Sequence, residues 1–169
     1  MMYVFILGPV AITSEHFETI EPDDSHEFGT RIQLRRVRSE VVDGVRHRDG
    51  RDGLHTTLGA PIWRADLFGV VGGPPDNHDH AHFHPTFTGM QPCERQFDQS
   101  VVDDPIKWAH AQLSDVARML RVGGTPELID QVDQAEIDRA WPAIEGSIRA
   151  NFDGPRYARD EVRQKSFTH

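Results

Sequence analysis

Apolar and polar residues alternate through much of the first hundred residues, and this period of two predicts β-strands. The apolar opening "MMYVFILGPVAI" is interpreted as a first strand rather than a leader peptide. In "RIQLRRV" the alternation slips at Arg35-Arg36 and resumes at Val37, which predicts a β-bulge. "IWRADLFGVV", from Ile62 to Val71, predicts a further strand that ends at the turn-forming "GGPPDN".

Two short segments between these runs favour turns. Asp43-Gly44 lies between valines and predicts a hairpin turn, because this pair tolerates positive φ. "RDGRDG", from Arg48 to Gly53, predicts a loop, since its aspartates lack the ligand spacing and closing glutamate of a calcium-binding loop.

The last third of the chain changes to helical spacing. Asp104 and Pro105 are suited to a helix start, and the spacing predicts one helix from about Pro105 to Arg121 that docks on the sheet. Its predicted buried face consists of Ile106, Leu113, Val116 and Leu120.

Two further helical starts follow. The first has Thr125 as its cap and Pro126 after it. The second begins near Gln134, with Asp133 and Glu136 in capping-box positions, and Pro142 is expected to kink or divide it.

Strands followed by helices predict an α+β fold. We expect an antiparallel, β-rich N-terminal two-thirds, as a sheet or small barrel, with two to three C-terminal helices packed against it. The 169 residues suit one domain over 1–152, mainly β over 1–100 and helical over 101–152. Residues 153–169 are interpreted as a polar C-terminal tail.

Composition excludes some classes of function. The net charge of −9 argues against a general nucleic-acid binder, which needs a basic surface. No apolar run approaches the length of a membrane span, so no membrane partner is expected. Cys93 is the only cysteine, which excludes an intrachain disulfide and favours a cytoplasmic protein.

Arginine is concentrated in one region despite the acidic total. Between Arg31 and Arg51 there are seven arginines against three acids. We interpret them as the solvent side of a two-stranded ribbon, paired with acids elsewhere in the chain. The alternative is a patch that attracts an anionic substrate or an acidic partner.

The segment "HAHFHPTFT" carries the candidate chemistry. In a strand its histidines and threonines fall on one face, and an apolar set falls on the other. We therefore expect His80 to Thr88 to be extended, with Phe83 and Phe87 buried and the imidazole face lining a cavity. Pro85 places the segment at a sheet edge or a bulge, and His78 is assigned to the preceding turn. The alternating residues are His80, His82, His84, Thr86 and Thr88 on one face and Ala81, Phe83, Pro85 and Phe87 on the other.

Imidazole is the commonest metal ligand among side chains, so the histidine face predicts a site for a divalent transition metal. The predicted metal ligands are His80, His82, His84 and Glu94, with His82 and His84 ranked first.

The carboxylate is expected from "CERQFD", which follows a likely turn and can return antiparallel beside the histidines. Glu94 is the preferred candidate, as a ligand or as a catalytic base, and Asp98 and Asp66 are further options. Two histidines with one carboxylate are typical of non-haem Fe(II) enzymes, and three histidines suit zinc acting on water. Fe, Zn, Mn and Cu all remain open.

Part of this region resembles the signature of the cupins, a family of small β-barrels. Gly72, His78 and His80 have the spacing of its first half. His84 stands where that signature has a glutamate, Gly89 comes too early, and the second signature has no counterpart. No residue role is carried over from the resemblance.

These features predict a small metal-binding protein, interpreted as a metalloenzyme that acts on a small molecule. The alternative is an acidic protein that binds a basic partner, with the histidines as a pH-sensitive or structural surface. Adventitious metal binding by a histidine-rich tract is a further alternative. The oligomeric state is left open.

Overall fold

A computed structural model describes residues 1–20, 26–46, 52–70 and 80–153. Five strands form one antiparallel sheet, in which each strand pairs with the next one along the chain. These strands are β1 (Met2–Leu7), β2 (Val10–Ile20), β3 (His26–Arg46), β4 (Asp52–Val70) and β5 (His82–His84). A separate hairpin joins β6 (Phe87–Thr88) to β7 (Gln91–Pro92), with Gly89 at φ 61° in its turn.

Several predicted features fall outside the described residues. They are most of the loop at 48–53, the turn at 72–77, His78 and the tail beyond 153. The organisation into one domain over 1–152 with a polar tail stays a prediction.

The long β3–β4 ladder contains the predicted bulge. Its register shifts between Leu34 and Arg35 and again between Arg35 and Val37, which confirms the bulge. The hairpin turn predicted at Asp43-Gly44 is wrong, because both residues lie within β3, which continues to Arg46. A third register shift falls there, and a ladder can absorb a turn-favouring pair as an irregularity without reversing the chain.

One face of the sheet forms the hydrophobic core with the helices. Strand residues at every second position are fully or nearly fully buried on this face. Trp63 of β4 stacks on Trp108 with ring centroids 5.8 Å apart, which couples the sheet to the helical third. The buried strand residues on this face include Val10, Ile12, Ile32, Leu34, Trp63, Ala65 and Leu67.

The helical third contains more breaks than the sequence predicts. Its elements are α1 (Gln99–Asp103), α2 (Pro105–Leu113), α3 (Val116–Val122), a 3-10 helix (Pro126–Gln131) and α4 (Gln134–Asp153).

The single helix predicted from Pro105 to Arg121 is wrong. The side chain of Asp115 accepts from Arg118 N at 3.0 Å and so starts a new helix, α3. The predicted buried face is confirmed at Leu113, Val116 and Leu120, while Ile106 is half-buried.

Helix α4 closes the fold. Its predicted start is confirmed, since Asp133 accepts a hydrogen bond from Ala135 N at 2.9 Å. Pro142 does not divide it, because Ile137, Ile144 and Ile148 are buried against the core on both sides of the proline.

The end of α4 is bonded to the sheet. Asn151 Nδ2 donates to Ser14 Oγ at 2.9 Å, and His16 Nδ1 donates to the Asn151 carbonyl at 2.9 Å. None of the helices in the described ranges combines the length and apolar character needed to span a bilayer. Antiparallel strands followed by C-terminal helices confirm the α+β prediction.

Candidate metal site

Sheet register aligns polar side chains on the face opposite the helices. Residues directly opposite each other in neighbouring antiparallel strands lie close enough for their side chains to touch. Asp66 is opposite His82, and Arg64 is opposite His84, on adjacent strands β4 and β5. The two neighbouring cross-strand rows are Glu15, Arg31, Asp66 and His82, and then Thr13, Gln33, Arg64 and His84.

Three of these side chains form a compact cluster that could hold a metal ion. Asp66 Oδ2 lies 3.4 Å from His82 Nε2 and 3.8 Å from His84 Nε2. The three donor atoms lie within 4.8 Å of one another, and the residues are only 2%, 2% and 3% exposed. Ligand bonds of about 2.1 Å place neighbouring ligand atoms about 3.0–3.4 Å apart, so small side-chain shifts suffice to bind an ion.

The backbone fixes the orientation of both imidazoles. His82 Nδ1 lies 2.9 Å from the His80 carbonyl, and His84 Nδ1 lies 2.6 Å from the Cys93 carbonyl. Because a carbonyl oxygen only accepts, each Nδ1 carries a proton and donates it. The other ring nitrogen, Nε2, lies on the side of Asp66 in both residues. Metal-binding histidines are typically held in this way, with Nδ1 bonded to a carbonyl and Nε2 directed at the ion.

Two guanidinium groups contact the same carboxylate. Arg31 Nε donates to Asp66 Oδ1 at 2.6 Å, and Arg64 Nε lies 2.9 Å from Asp66 Oδ2. Burial by itself would raise the pKa of Asp66. The bond with His82 and the charges of Arg31 and Arg64 outweigh burial, so the pKa lies below its ordinary value. Asp66 is therefore an ionised carboxylate.

His84 is held in its neutral form. Its burial lowers the pKa of the imidazole, and the charge of Arg64 lowers it further, against the raising effects of the Cys93 carbonyl and Asp66. A neutral imidazole is the form that coordinates metal.

Arg64 contacts two of the three donor atoms. Its terminal NH2 group donates to His84 Nε2 at 2.9 Å, in addition to the Nε contact with Asp66 Oδ2. That Nε–H is buried and makes no hydrogen bond of good geometry among the described residues, so its contact with Asp66 Oδ2 is an ion pair. The guanidinium thus lies directly against the cluster.

The rim of the site comes from the segment after the hairpin. Phe83 and Gln96 exchange two backbone hydrogen bonds of 2.9 Å, which confirms that "CERQFD" returns antiparallel beside the histidine strand. The ring of Phe97 lies 5.7 Å from that of His82 and is 65% exposed. An apolar surface therefore borders the histidines.

The structure separates the predicted ligands. His82 and His84 share a face and join Asp66 in the cluster. His80 is exposed in a turn, with its carbonyl bonded to His82, and Glu94 is exposed on the returning segment. The assignments of His80 and Glu94 as ligands, and of Glu94 as a base, stay predictions that this cluster does not support.

The burial predicted for the histidine segment is correct only in part. Strand β5 covers only His82–His84, and Phe83 and Phe87 are half-buried rather than buried. His82 and His84 are more deeply buried than Phe83 and Phe87, because Arg31, Arg64 and the returning segment cover the two imidazoles.

The residues that the sequence prediction missed share a visible signal. Asp66 is only the third choice of carboxylate, Arg31 is assigned to a solvated ribbon, and Arg64 receives no role. In "RIQL" and "WRADL" the polar residues occupy one phase of strands that are otherwise apolar. Polar residues in the same phase as Asp66 on neighbouring strands indicate a shared polar site.

Residues 76–148 match a domain of unknown function, DUF7700. The matched segment includes His82 and His84, while Asp66 and both site arginines precede it. No curated protein matches the chain, and no solved structure does.

Proposed function

We propose that this protein binds one divalent transition-metal ion through Asp66, His82 and His84, and that it is a metal-dependent enzyme acting on a small molecule. The observation that carries the proposal is the convergence of three buried donor atoms, with both Nδ1 protons bound by backbone carbonyls. Buried donor atoms that converge in this way are stabilised by a cation among them, a position that the guanidinium of Arg64 occupies in this structure.

The donor set narrows the chemistry. Two imidazoles and one carboxylate are typical of non-haem Fe(II) sites with open coordination positions. Zn²⁺ uses the same donors with a water molecule in the remaining position, and Mn and Cu are further candidates. When bound, the ion supplies redox capacity or Lewis acidity. We favour oxidative chemistry at iron, with zinc-type hydrolysis as the alternative.

The chain's own residues prepare the site for the ion. Arg31 bonds Asp66 Oδ1 and leaves Oδ2 directed at the histidines. The carbonyls of His80 and Cys93 hold the two rings, and burial excludes water from the donor atoms.

Metal content tests the proposal. Protein purified without an affinity tag should contain close to one metal ion per chain by elemental analysis. Replacement of a ligand removes a donor that water replaces only weakly, so His82→Ala, His84→Ala and Asp66→Asn should each lose most of that metal. His55→Ala is the matched control, because His55 is an exposed histidine on the same strand as Asp66.

Melting curves of the same variants separate loss of metal from loss of fold. Full metal occupancy in a folded His82→Ala, His84→Ala double variant would refute the site.

One observation favours a rival function. Asp66 is already neutralised by two guanidiniums, as in an ion-pair network that serves structure alone. The protein would then be an acidic, partner-binding molecule whose net charge of −9 steers it to a basic partner. If this rival function is correct, every preparation of the protein should be free of metal, and the protein should bind a basic protein in a salt-sensitive way.

A cytoplasmic location, inferred from the single cysteine, stays a prediction for both functions.

A further inference from the structure

Arg64 occupies the position that the proposed metal ion needs. Its terminal nitrogen donates to His84 Nε2 at 2.9 Å, and its Nε lies 2.9 Å from Asp66 Oδ2. These two atoms are proposed metal ligands. A guanidinium and a metal ion are both cations that require the same lone pairs, so the two cannot hold them together.

Arg31 contacts the same carboxylate but does not conflict with a metal ion. It uses Asp66 Oδ1, its guanidinium lies 4.8 Å above the ring of Phe17, and Glu15 lies 3.7 Å away. These contacts hold Arg31 in place and leave Oδ2 available. Metal binding therefore requires only Arg64 to move.

Arg64 is suited to that movement. Its side chain is 18% exposed and its Nε–H makes no hydrogen bond of good geometry among the described residues. A long arginine side chain can redirect its head group while its stem stays packed. Once displaced, the guanidinium would lie beside the ion without its carboxylate partner.

We propose that metal binding expels Arg64 from the cluster and that the freed guanidinium, together with the ion, binds a carboxylate group of the substrate. This inference rests on the proposed metal site. Arg64 binds the carboxylate of Asp66 in this structure, so a substrate carboxylate replaces one planar partner with another of the same shape.

The surrounding charge supports an anionic substrate. Arg31 and Arg95 act electrostatically on Arg64, and the carboxylates that oppose these three charges among the described residues are buried Asp66 and half-buried Glu15, which pairs with Arg31. A divalent ion adds further positive charge to this region of an otherwise acidic chain. An anion that bridges the ion and Arg64 compensates that charge, and such electrostatic attraction also draws an anionic substrate to the site.

Co²⁺ titration of the full chain tests the inference, with acetate as the carboxylate probe at constant ionic strength. Acetate should tighten Co²⁺ binding by the unmodified protein, because the two ligands bind cooperatively. Arg64→Gln should bind Co²⁺ about tenfold more tightly in the absence of acetate, since the competing cation is gone, and should lose the response to acetate.

Two other arginine variants also remove one positive charge each, but neither should tighten Co²⁺ binding as Arg64→Gln does. Arg31→Gln should weaken Co²⁺ binding, because Asp66 loses the group that orients it. Arg38→Gln, an exposed position on the same strand as Arg31, should change neither Co²⁺ affinity nor the acetate response. Both Arg31 and Arg64 contact Asp66. If their replacement changes Co²⁺ affinity in opposite directions, the loss of one positive charge cannot explain both results, and displacement of Arg64 by the ion does.

The outcomes distinguish this inference from the proposed function. Co²⁺ binding by neither the unmodified protein nor Arg64→Gln overturns the metal site, and the inference with it. Co²⁺ binding that is insensitive to acetate in the unmodified protein overturns the inference alone, and so does an acetate response that survives in Arg64→Gln. A stronger response to sulfate than to acetate overturns the carboxylate assignment.

Discussion

At the scale of single residues, environment distinguishes the two histidines of the candidate site from an exposed histidine on the same sheet. The side chain of His55 is 63% exposed on β4, while those of His82 and His84 are 3% and 4% exposed, with their Nδ1 protons bound by carbonyls. The same side chain is an ordinary surface group in the first case and an oriented donor in the second. Backbone contacts decide the difference.

Acid should destabilise the metal-free protein through two of these site residues. The pKa of His84 is lowered mainly by burial, and that of Asp66 is lowered by His82 and the two arginines in spite of burial. Both groups bind protons more weakly in the folded chain than in the unfolded chain. Their stabilisation is therefore complete above the ordinary pKa values, which are about 6.5 for histidine and about 4 for aspartate. It is lost as the pH falls below each ordinary value and through the lower pKa of the folded state.

Chemical denaturation across this pH range, in the presence of a chelator, measures the effect. His84→Ala should flatten the fall in unfolding free energy below about pH 6.5 and leave the lower fall in place. If the unfolding free energy of His84→Ala has the same pH profile as that of the unmodified protein, the fall does not come from His84. His55→Ala is the control for a histidine without this burial.

At the scale of elements, close contact between helix and strand positions the site strand. Gly123 ends α3 against β4, and a Cβ at this position would overlap Ile62 Cγ2 and lie 3.1 Å from the Ile62 carbonyl. The need for glycine here comes from space, because its φ of −73° is accessible to any residue. The contact fixes β4 only two residues before Arg64.

Gly123→Ala should lower the free energy of unfolding by about 1–3 kcal/mol, since neither the side chain nor the backbone of Ile62 can yield without repacking. Gly146→Ala is the matched control within α4, where an added methyl group meets nothing within 4 Å. That change should instead stabilise the protein by about 0.5–1 kcal/mol through helix propensity.

Denaturant titration measures the free energy of unfolding of Gly123→Ala and of Gly146→Ala. Ile62→Leu combined with Gly123→Ala should recover part of the loss, because leucine is not branched at Cβ and lacks the Cγ2 methyl group that the added Cβ would meet. Equal stability of the two single alanine variants would show that β4 and α3 are not tightly packed.

At the scale of the whole molecule, the site joins the two halves of the chain. Asp66 and the two arginines belong to the long β3–β4 hairpin, whereas the histidines belong to the segment that matches DUF7700. The helices of that segment bury their apolar faces on the preceding strands, as Trp108 does on Trp63. On its own, the matched segment therefore lacks the strands on which its helices pack and the carboxylate of Asp66.

A fragment of residues 76–148 should neither fold cooperatively nor bind Co²⁺ with the affinity of the full chain. Its helices lose the sheet that covers their apolar faces, and isolated short helices are marginal in water. Circular dichroism melts and Co²⁺ titration of fragment and full chain compare both properties. A cooperative melt of the fragment would show that the strands before it are dispensable for folding.

The sequence by itself determined the features that depend on neighbouring residues. Alternation places His82 and His84 on one face whatever the rest of the fold does, because side chains repeat every two residues in a strand. The slip at Arg35-Arg36 indicated the bulge, and Asp133 indicated the start of α4, through equally local effects.

Only the tertiary structure decided which groups meet those histidines. Asp66 became their partner, and Glu94 did not, because the β4–β5 register brings position 66 opposite 82, and register depends on contacts between distant segments. Burial of the imidazoles rather than Phe83 likewise depends on what covers each face, which alternation does not specify. The same holds for the contact of Arg64 with His84, which joins two neighbouring strands.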